Sequence, residues 1–320
     1  MKLLITGGAG FIGSCYARLA RGRRPDDLLV NVDALTYAGN LDNLRDIEDA
    51  KRFTFTKGDV CDRDAVTAAM DGHDAVVHFA AESHVDRSIV NPDAFARTNC
   101  DGTNVLCDVA RHIGVDRFVH ISTDEVYGSV ETGSSSEDDR LDPRSPYSAS
   151  KAGADLIALS YRSTYGLPVV VTRSSNNFGP YQYPEKVIPL FVTNLLEGKK
   201  VPLYGDGMNV RDWCYVKDNC AAIERVRTHG ALGEIYNIGG GNEIANRVLT
   251  DTILDVLGLD ESMIEYVTDR LGHDRRYSLD STKVRSLGWA PRYEFRAALE
   301  TTVAWYRDHR WWWTALQHRR

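Results

Sequence analysis

The chain has 320 residues, 43% of them hydrophobic and 26% charged, with a formal net charge of −7 at pH 7. This length allows one large domain or two modest ones around an ordinary globular core. The acidic balance, without a basic block, argues against nucleic acid as a partner. No apolar run reaches the length of a membrane span, and the apolar residues 1–5 end too early at Thr6 for a signal peptide. We therefore expect a cytoplasmic protein.

Six cysteines are scattered along the chain without Cys-x-x-Cys spacing: Cys15, Cys61, Cys100, Cys107, Cys214 and Cys220. This pattern favours reduced thiols in a cytosol over a zinc site or a disulfide framework. We predict neither a metal site nor thiol redox chemistry.

The first predicted strand, residues 2–5, runs into a glycine-rich turn, residues 6–13, which leads into a helix through Arg21. Gly7, Gly10 and Gly13 would let the backbone approach a pyrophosphate at the helix N-terminus, where free amides and the helix dipole favour an anion. Their G-x-x-G-x-x-G spacing differs slightly from the commoner dinucleotide fingerprint and is a weak signal alone.

The second predicted strand, residues 28–32, ends at Asp33, about twenty residues after Gly13. A carboxylate there would accept hydrogen bonds from an adenosine ribose and repel a 2′-phosphate, which favours NAD over NADP. A cap on a helix or turn is the alternative role for Asp33.

Strands and helices then alternate, with strands over 52–56, 75–79, 117–121 and 168–172 and helices over 65–70, 92–113 and 147–165. The fold class we predict is α/β, a doubly wound parallel sheet of the Rossmann type. Asp59, Val60 and residues 80–84 follow strands and would line the adenine and phosphates. His84 is either a substrate contact or a local hydrogen-bonding residue.

The alternation loses its regularity after Arg173, where residues 176–184 are rich in loop formers. A helix over 187–197, strands over 210–216 and 234–238 and a closing helix over 295–309 predict a second, smaller α/β substrate domain. We assign residues 1–173, with a later contribution from about 212–239, to an NAD-binding domain, and residues 174–211 and 240–320 to a sugar-nucleotide domain. Arginines at 211 and within 272–277 would suit a diphosphate, unless they are solvated surface charges. The Trp311–Trp313 tail is left unassigned.

Tyr147 and Lys151 stand four residues apart on a predicted helix, so their side chains share one face. A free tyrosine has a pKa near 10, and bringing that pKa to about 7 requires roughly 4 kcal/mol of selective stabilisation of the phenolate. A neighbouring ammonium, assisted by a nicotinamide cation, would supply it. The pair therefore predicts a catalytic base, although the same spacing arises by chance in many helices.

Seven motifs along the chain, one of which contains the Tyr147–Lys151 pair, are AAESHVDRS, STDEVYG, YSASK, SNNFGPYQYPEK, LYGDG, VRDW and GHDRRY. With them the chain resembles the extended short-chain dehydrogenase/reductase family, and within it the dTDP-glucose 4,6-dehydratases. The resemblance implies a nucleoside diphosphate glucose substrate (dTDP-glucose), tightly held NAD, and a homodimer formed through the long helices before and after the catalytic loop.

The predicted site follows from the motifs and this resemblance. The catalytic residues are Thr123, Asp124, Glu125, Tyr147 and Lys151. The cofactor contacts are Gly7, Gly10, Phe11, Ile12, Gly13, Asp33, Leu35, Thr36, Asp59, Val60, Phe79, Ala80, Ala81, Ser83, Thr98, Tyr147, Lys151 and Asn177. The substrate contacts are Ser83, His84, Thr123, Asn176, Lys186, Val187, Pro202, Leu203, Tyr204, Arg211, Asn246, His273, Arg276 and Tyr277.

The chemistry of dehydration requires oxidation first, because the C5 proton of a hexose is not acidic until C4 is a ketone. Tyr147 would take the 4-hydroxyl proton while NAD takes the C4 hydride, with Thr123 and Lys151 holding hydroxyl and ribose. The resemblance assigns Glu125 as the C5 base and Asp124 as the acid that protonates the leaving 6-hydroxyl. Hydride return to C6 would close a redox-neutral cycle to the 4-keto-6-deoxy sugar.

Two other functions stay open at this point. A nucleotide-sugar 4-epimerase shares the glycine turn, tyrosine and lysine but needs no acid-base pair at C5 and C6. An NAD-sensing binding protein shares the fold, but it would not need an intact Tyr147–Lys151 pair. Asp124 and Glu125 as exposed loop charges remain the alternative to a catalytic pair.

Overall fold

A computed structural model of the protein describes residues 1–269 and 274–317. Its strands are β1 (Lys2–Thr6), β2 (Leu28–Asp33), β3 (Phe53–Lys57), β4 (Ala75–His78), β5 (Arg117–Thr123), β6 (Val169–Ser174), β7 (Asn176–Phe178), β8 (Val201–Tyr204), β9 (Val210–Tyr215), β10 (Ile235–Ile238), β11 (Glu243–Ala245) and β12 (Ile264–Val267). Its α-helices are α1 (Phe11–Arg23), α2 (Arg63–Met70), α3 (Val85–Val90), α4 (Pro92–Phe95), α5 (Gly102–Ile113), α6 (Pro146–Tyr165), α7 (Val187–Leu196), α8 (Val216–His229), α9 (Asn246–Leu257), α10 (Thr282–Ser286), α11 (Phe295–Asp308) and α12 (Arg310–Gln317).

The main sheet has the strand order β10-β6-β5-β4-β1-β2-β3, and each neighbouring pair is parallel. The chain proceeds outward from β1 through β2 and β3, then restarts on the other side with β4. Ligands bind at such a switch point, outside the carboxyl ends of the strands. The predicted doubly wound α/β fold is confirmed.

Alternate residues of β1 enter two different cores. Leu3 and Ile5 pack in one core with α1 and α8, whereas Leu4 packs in the other with α2 and α5. Because side chains alternate along a strand, a sheet covered by helices on both faces needs continuously apolar strands. The run of residues 3–5 satisfies that requirement, which fixes the position of the glycine turn after it.

Helix α6 has strong signals at both ends. Ser145 caps its N-terminus in a capping box with Ser148, and Pro146 occupies the first turn. It ends at Gly166, whose φ of 75° is left-handed, a conformation that suits glycine. The helix therefore holds Tyr147 and Lys151 on a rigid first turn and a half.

The predicted helix over 92–113 contains an irregular segment. Helix α4 passes through a π-helical stretch, Ala96–Asp101, before α5 begins. Within that stretch Asn99 Nδ2 donates to Ser150 Oγ at 2.8 Å, and Asn99 Oδ1 accepts from Glu82 N at 2.9 Å. Because π-helical turns often occur near functional sites, the widened segment fits its place between the catalytic helix and the loop after β4.

The second core is built from short elements, which the alternation of strands and helices along the chain does not reveal. Two small sheets, β11-β9-β7 and β12-β8, pack with α7, α9, α11 and α12. The Trp-rich tail forms α12, and Trp312 and Trp313 are 1% and 0% exposed in this core. The sequence pattern did not predict α3, α8, α9, α10 and α12 or the short strands β7, β8, β11 and β12. No helix in the described ranges is long and apolar enough to cross a membrane.

Candidate active site

A cavity of about 420 Å³ opens at the carboxyl ends of β1, β4, β5 and β6. It is continuous from the glycine turn to the first turn of α6. Its lining includes every predicted cofactor contact except Leu35, and the predicted substrate contacts Ser83, Thr123, Asn176 and Lys186. The structure thus brings the predicted cofactor and catalytic residues together in one cleft.

The glycine turn leaves no space for side chains. A Cβ on Gly7 would lie 2.5 Å from Ala80 N, and one on Gly13 would lie 2.3 Å from Gly7 O. Gly7 also has a φ of 69°. The backbone therefore needs glycine at both positions, which leaves the amides at the start of α1 open to a pyrophosphate.

Asp33 lies at the end of β2 and is fixed by two backbone amides. Its Oδ2 accepts from Ala9 N at 3.0 Å and its Oδ1 accepts from Leu35 N at 2.8 Å. Burial raises the pKa of this carboxyl, and these two hydrogen bonds oppose the effect. Asp33 lines the cavity, and a carboxylate oxygen with one donor can accept a second hydrogen bond, as an adenosine ribose requires. The residues present therefore fit NAD.

Buried polar atoms at the inner end of the cavity also indicate a polar ligand. The amide oxygens of Asn176 and Asn177 and Oδ2 of Asp124 have no hydrogen-bond partner in the described residues. Buried polar groups are normally paired, so atoms like these mark positions where a ligand or water binds.

Asp124 and Glu125 begin a short 3₁₀ helix, Asp124–Tyr127, directly after β5. Asp124 is 3% exposed, and its Oδ1 accepts from Thr123 Oγ1 at 3.1 Å. Burial and the neighbouring Glu125 charge raise the pKa of Asp124 well above its usual range. Burial therefore favours the protonated form of Asp124, which is not an exposed loop charge.

Tyr147 and Lys151 line the same cavity from α6. Tyr147 is 8% exposed and packs edge-on against Phe95, with ring centroids 6.2 Å apart. Lys151 is 5% exposed, and its Nζ donates to Ile121 O at 2.6 Å. Burial lowers the pKa of Lys151 to about 8.

The expectation that Lys151 lowers the pKa of Tyr147 is not met in the protein alone. Burial, followed by the Glu125 charge, raises the pKa of Tyr147 well above 10, while a hydrogen bond with Thr123 opposes the rise. Lys151 instead directs a hydrogen bond at the β5 backbone. The predicted stabilisation of the phenolate also invokes the nicotinamide cation, so it stays a prediction.

Arg211 and Tyr277, far apart in sequence, are in contact and buried. The Arg211 guanidinium lies 4.3 Å from the centre of the Tyr277 ring, and its Nη2 donates to Asp274 O at 2.9 Å. The backbones of Val210 and Arg276 form a β-bridge. Arg276 itself pairs with Glu243 at 2.7 Å. The structure therefore places the arginine-bearing segments side by side, with Arg276 already engaged by a carboxylate.

Other predicted substrate contacts lie outside the cavity lining: His84, Val187, Pro202, Leu203, Tyr204, Arg211, Asn246, Arg276 and Tyr277. His84 is the N-cap residue of α3, and burial lowers its pKa. Leu203 is 1% exposed in the second core, whereas Tyr204 is 37% exposed at the end of β8. His273 lies outside the described residues.

A group of contacts that the sequence did not predict joins residues 83–87 to residues 185–186 at the cavity. Arg87 Nε donates to Glu185 Oε2 at 2.9 Å, and the guanidinium lies 4.0 Å from the centre of the Tyr37 ring. Lys186 Nζ donates to Ser83 O at 2.6 Å beside them. Arg87 and Glu185 both stand in quoted motifs, but 98 residues separate them, so nothing local signals the pair.

Comparison with known proteins identifies relatives of the whole chain. A family model described as GDP-mannose 4,6 dehydratase matches residues 4–302. The dTDP-glucose 4,6-dehydratase of Streptomyces antibioticus is 54% identical over 325 residues, covering 100% of this chain and 96% of that protein. The crystal structure of DesIV, the dTDP-glucose 4,6-dehydratase of Streptomyces venezuelae, with NAD and dTDP bound, is 54% identical with a TM-score of 0.97, covering 99% of this chain and 100% of that one.

A more distant structure is that of UDP-glucose 4-epimerase from Thermotoga maritima, with UDP-glucose. It is 30% identical with a TM-score of 0.89, covering 96% of this chain and 99% of that one. An epimerase thus shares the fold at 30% identity. The two relatives that are 54% identical to this chain over nearly their full length are both dTDP-glucose 4,6-dehydratases. The chain belongs to the nucleotide-sugar 4,6-dehydratase family of the extended short-chain dehydrogenases/reductases.

Proposed function

We propose that this enzyme converts dTDP-glucose to dTDP-4-keto-6-deoxyglucose, with NAD as its cofactor. The observation that carries the proposal is Asp124, a buried carboxyl with a raised pKa beside Glu125, in the cavity that also contains Tyr147 and Lys151. Full-length relatives with this activity support it.

The acid-base pair favours dehydration over epimerisation. Oxidation and reduction at C4 need one base, which Tyr147 supplies. Removing water across C5 and C6 needs in addition one carboxylate that accepts a proton and one carboxylic acid that donates one. Since Asp124 and Glu125 are adjacent and the charge of one raises the pKa of the other, the site separates the two roles.

The oxidation step depends on a short line of side chains. Tyr147 Oη removes the proton of the 4-hydroxyl, and Thr123, which hydrogen-bonds Tyr147, positions that hydroxyl. Lys151 holds the ribose of the cofactor and contributes positive charge beside the phenol. When bound, NAD accepts the C4 hydride and later returns it to C6. Gly7, Gly10, Gly13 and Asp33 hold the dinucleotide.

The elimination step depends on the 3₁₀ turn after β5. Glu125 removes the C5 proton, which the neighbouring C4 ketone has made acidic. Asp124 donates its proton to the departing 6-hydroxyl, so water leaves as a neutral molecule. Asp124 is 3% exposed, and this burial favours its protonated form, so the carboxyl can act as the proton donor.

We assign the substrate diphosphate to the second domain, residues 174–211 and 240–320. The buried Arg211, stacked on Tyr277, is its best-placed guanidinium, because Arg276 is paired with Glu243. The separate second core supports two domains, and β10 with α8 supports assigning residues 216–239 to the first. Trp213 and Tyr215 on β9 pack in the second core, whereas Val284 and Trp289 pack in the first.

We also propose a homodimer through α5 and α6 and a cytoplasmic location. On α6, Leu156 and Tyr165 are 60% and 56% exposed, which a partner helix would cover. The six cysteines are free thiols, as in a reducing compartment.

A substrate panel tests the proposed reaction. Purified protein is incubated with dTDP-, UDP-, GDP- and ADP-glucose, and products are identified by NMR and mass spectrometry. We expect a 4-keto-6-deoxy sugar, formed fastest from the dTDP substrate and without added cofactor. Formation of a galactose epimer, with no loss of water, would contradict the proposal and establish an epimerase.

A further inference from the structure

Three buried ionisable residues lie behind the active site. Asp155 follows Lys151 by one turn on α6 and is 0% exposed. Its Oδ2 lies 2.9 Å from Arg173 Nε on β6, and its Oδ1 lies 3.2 Å from His120 Nε2 on β5. None of these three side chains lines the cavity. The proposed chemistry therefore gives them no direct role, although burying them is costly.

This cluster also reaches the turn that carries the acid-base pair. Arg173 Nη1 donates to Tyr127 Oη at 2.8 Å, and Tyr127 Oη donates to Asn237 Oδ1 at 2.9 Å. Tyr127 is the last residue of the 3₁₀ turn begun by Asp124. Arg173 thus connects the helix used in oxidation with the turn used in elimination.

The groups around Lys151 differ in charge. Burial lowers the pKa of His78 on β4 and of His120 on β5, which disfavours a charge on either ring. Burial raises the pKa of the Cys100 thiol in the π-helical segment, which is neutral as well. Asp155 is the ionised acid facing Lys151 in the described residues: burial acts to raise its pKa, but His120 and Arg173 bring it below the usual value.

Helical geometry makes this charge effective. Residues four apart on a helix have Cβ atoms about 5–6 Å apart, so the Asp155 carboxylate lies one turn from the Lys151 side chain. In a buried environment a charge at this distance acts strongly, because little water screens it. Arg173 on the other side of Asp155 holds the carboxylate in place.

We propose that Asp155 is a positioning residue that keeps Lys151 in its ammonium form during C4 oxidation, and that Arg173 is the buried counter-ion that fixes Asp155. This inference rests on the proposed function, in which a charged Lys151 assists Tyr147. Asp155 touches neither substrate nor cofactor and acts through Lys151 alone.

The variant Asp155→Asn tests the electrostatic part, because it preserves the shape of the side chain and removes its charge. Without the carboxylate, Lys151 loses its proton at lower pH, so the alkaline limb of the oxidation rate moves down by about one pH unit. Single-turnover formation of NADH across the neutral and alkaline range measures this limb. The ¹³Cε resonance of Lys151, assigned with Lys151→Met, should titrate about one pH unit lower as well.

A double variant separates the effect of the Asp155 charge on Lys151 from its effect on the stability of the fold. Asp155→Asn leaves Arg173 as an unpaired buried cation, which destabilises the fold. The double variant Asp155→Asn with Arg173→Gln removes both charges, so its stability should recover. The alkaline limb of its oxidation rate and its Lys151 resonance should stay at the lower pH. If the double variant restored the parent pH profile, Asp155 would have a structural role only.

Asp218→Asn is the matched control on α8. Its buried carboxylate accepts from Arg292 N and Tyr293 N at 3.0 and 3.1 Å, away from Lys151. The Asp218→Asn variant should be less stable than the parent. Neither the alkaline limb of its oxidation rate nor its Lys151 resonance should move. An unmoved Lys151 resonance in Asp155→Asn would overturn the inference. That readout needs no turnover, so it remains valid even if the substrate panel disproves the proposed function.

Discussion

Trp312 donates a hydrogen bond of 2.9 Å from its indole Nε1 to Asn43 Oδ1, and Asn43 Nδ2 in turn donates to Ala9 O at 2.8 Å. The C-terminal helix is thereby joined to the glycine turn of the first domain through one buried amide. Asn43 is 1% exposed, so water cannot replace the indole as a donor.

Trp312→Phe retains an aromatic ring and removes the donor. Since a buried acceptor then lacks its partner, the free energy of unfolding should fall by about 1–3 kcal/mol. Urea denaturation measures the change. Trp311→Phe is the control, because Trp311 is 49% exposed, and it should change stability by less than about 0.5 kcal/mol. Equal effects of the two variants would contradict the role of the Trp312–Asn43 bond.

Gly13→Ala should abolish tight NAD binding. Its Cβ would lie 2.3 Å from Gly7 O and 2.8 Å from Gly8 Cα, so the turn has to shift where the pyrophosphate is expected. Gly22→Ala on the same helix meets no atom within 4 Å and should bind NAD normally, with stability raised by about 0.5–1 kcal/mol. Calorimetric titration of cofactor-free protein measures both. Normal binding by Gly13→Ala would remove this turn from the cofactor site.

Asp124→Asn should make the protein more stable at neutral pH. The pKa of Asp124 is raised in the folded state by burial and by Glu125, so the folded state binds its proton more tightly than the unfolded state does. Asp124 therefore costs stability as the pH rises above its unfolded pKa of about 3.9 toward the raised folded value. The variant should gain about 1 kcal/mol near pH 7, and the gain should vanish near pH 4.

Urea denaturation at both pH values measures that difference. Asp26→Asn on the surface is the control and should show no pH-dependent gain. A loss of stability in Asp124→Asn at pH 7 would show that the native carboxyl is ionised, which would exclude it as the acid.

Tyr147→Phe removes the phenol and retains the packing of the ring against Phe95. C4 oxidation should fall by about a hundredfold to ten-thousandfold, while substrate binding persists. Stopped-flow NADH absorbance and equilibrium binding of dTDP-glucose measure the two. Tyr266→Phe, on β12, 57% exposed and outside the cavity lining, should oxidise at the parent rate. Oxidation at the parent rate by Tyr147→Phe would exclude the phenol as the base.

The sequence predicted the parts of the site that local chain geometry determines. Gly7 and Gly13 follow a buried strand, and Tyr147 and Lys151 are separated by one helical turn, so spacing alone places them. The central strands of the main sheet could be recognised because helices on both faces require apolar runs, and the edge strand β3 because Phe and Thr alternate along it.

Contacts between distant segments could not be predicted. The Arg87–Glu185 pair, the bond from Trp312 to Asn43 and the cluster around Asp155 join residues that only the folded chain brings together. The raised pKa of Tyr147 has the same origin, because burial is a property of the assembled site. The strands β7 and β8 have only three and four residues, which is too short for an alternating polar and apolar pattern to reveal them.

The division of labour between Asp124 and Glu125 is the central claim, and isotope loss at C5 distinguishes their roles. In Asp124→Asn, C4 oxidation and C5 proton exchange should continue while loss of the 6-hydroxyl slows by about a hundredfold or more, because the proton donor is absent. In Glu125→Gln, C5 exchange and elimination should both slow by about as much, because the base is absent.

The most direct measurement is a single turnover with dTDP-glucose deuterated at C5, following NADH absorbance, deuterium loss and product in the same reaction. The account predicts that Asp124→Asn accumulates NADH and loses deuterium ahead of product, whereas Glu125→Gln retains the deuterium. Formation of the 4-keto-6-deoxy sugar at the parent rate by both variants would contradict the paired-carboxylate mechanism and remove the main structural reason for preferring a dehydratase to an epimerase.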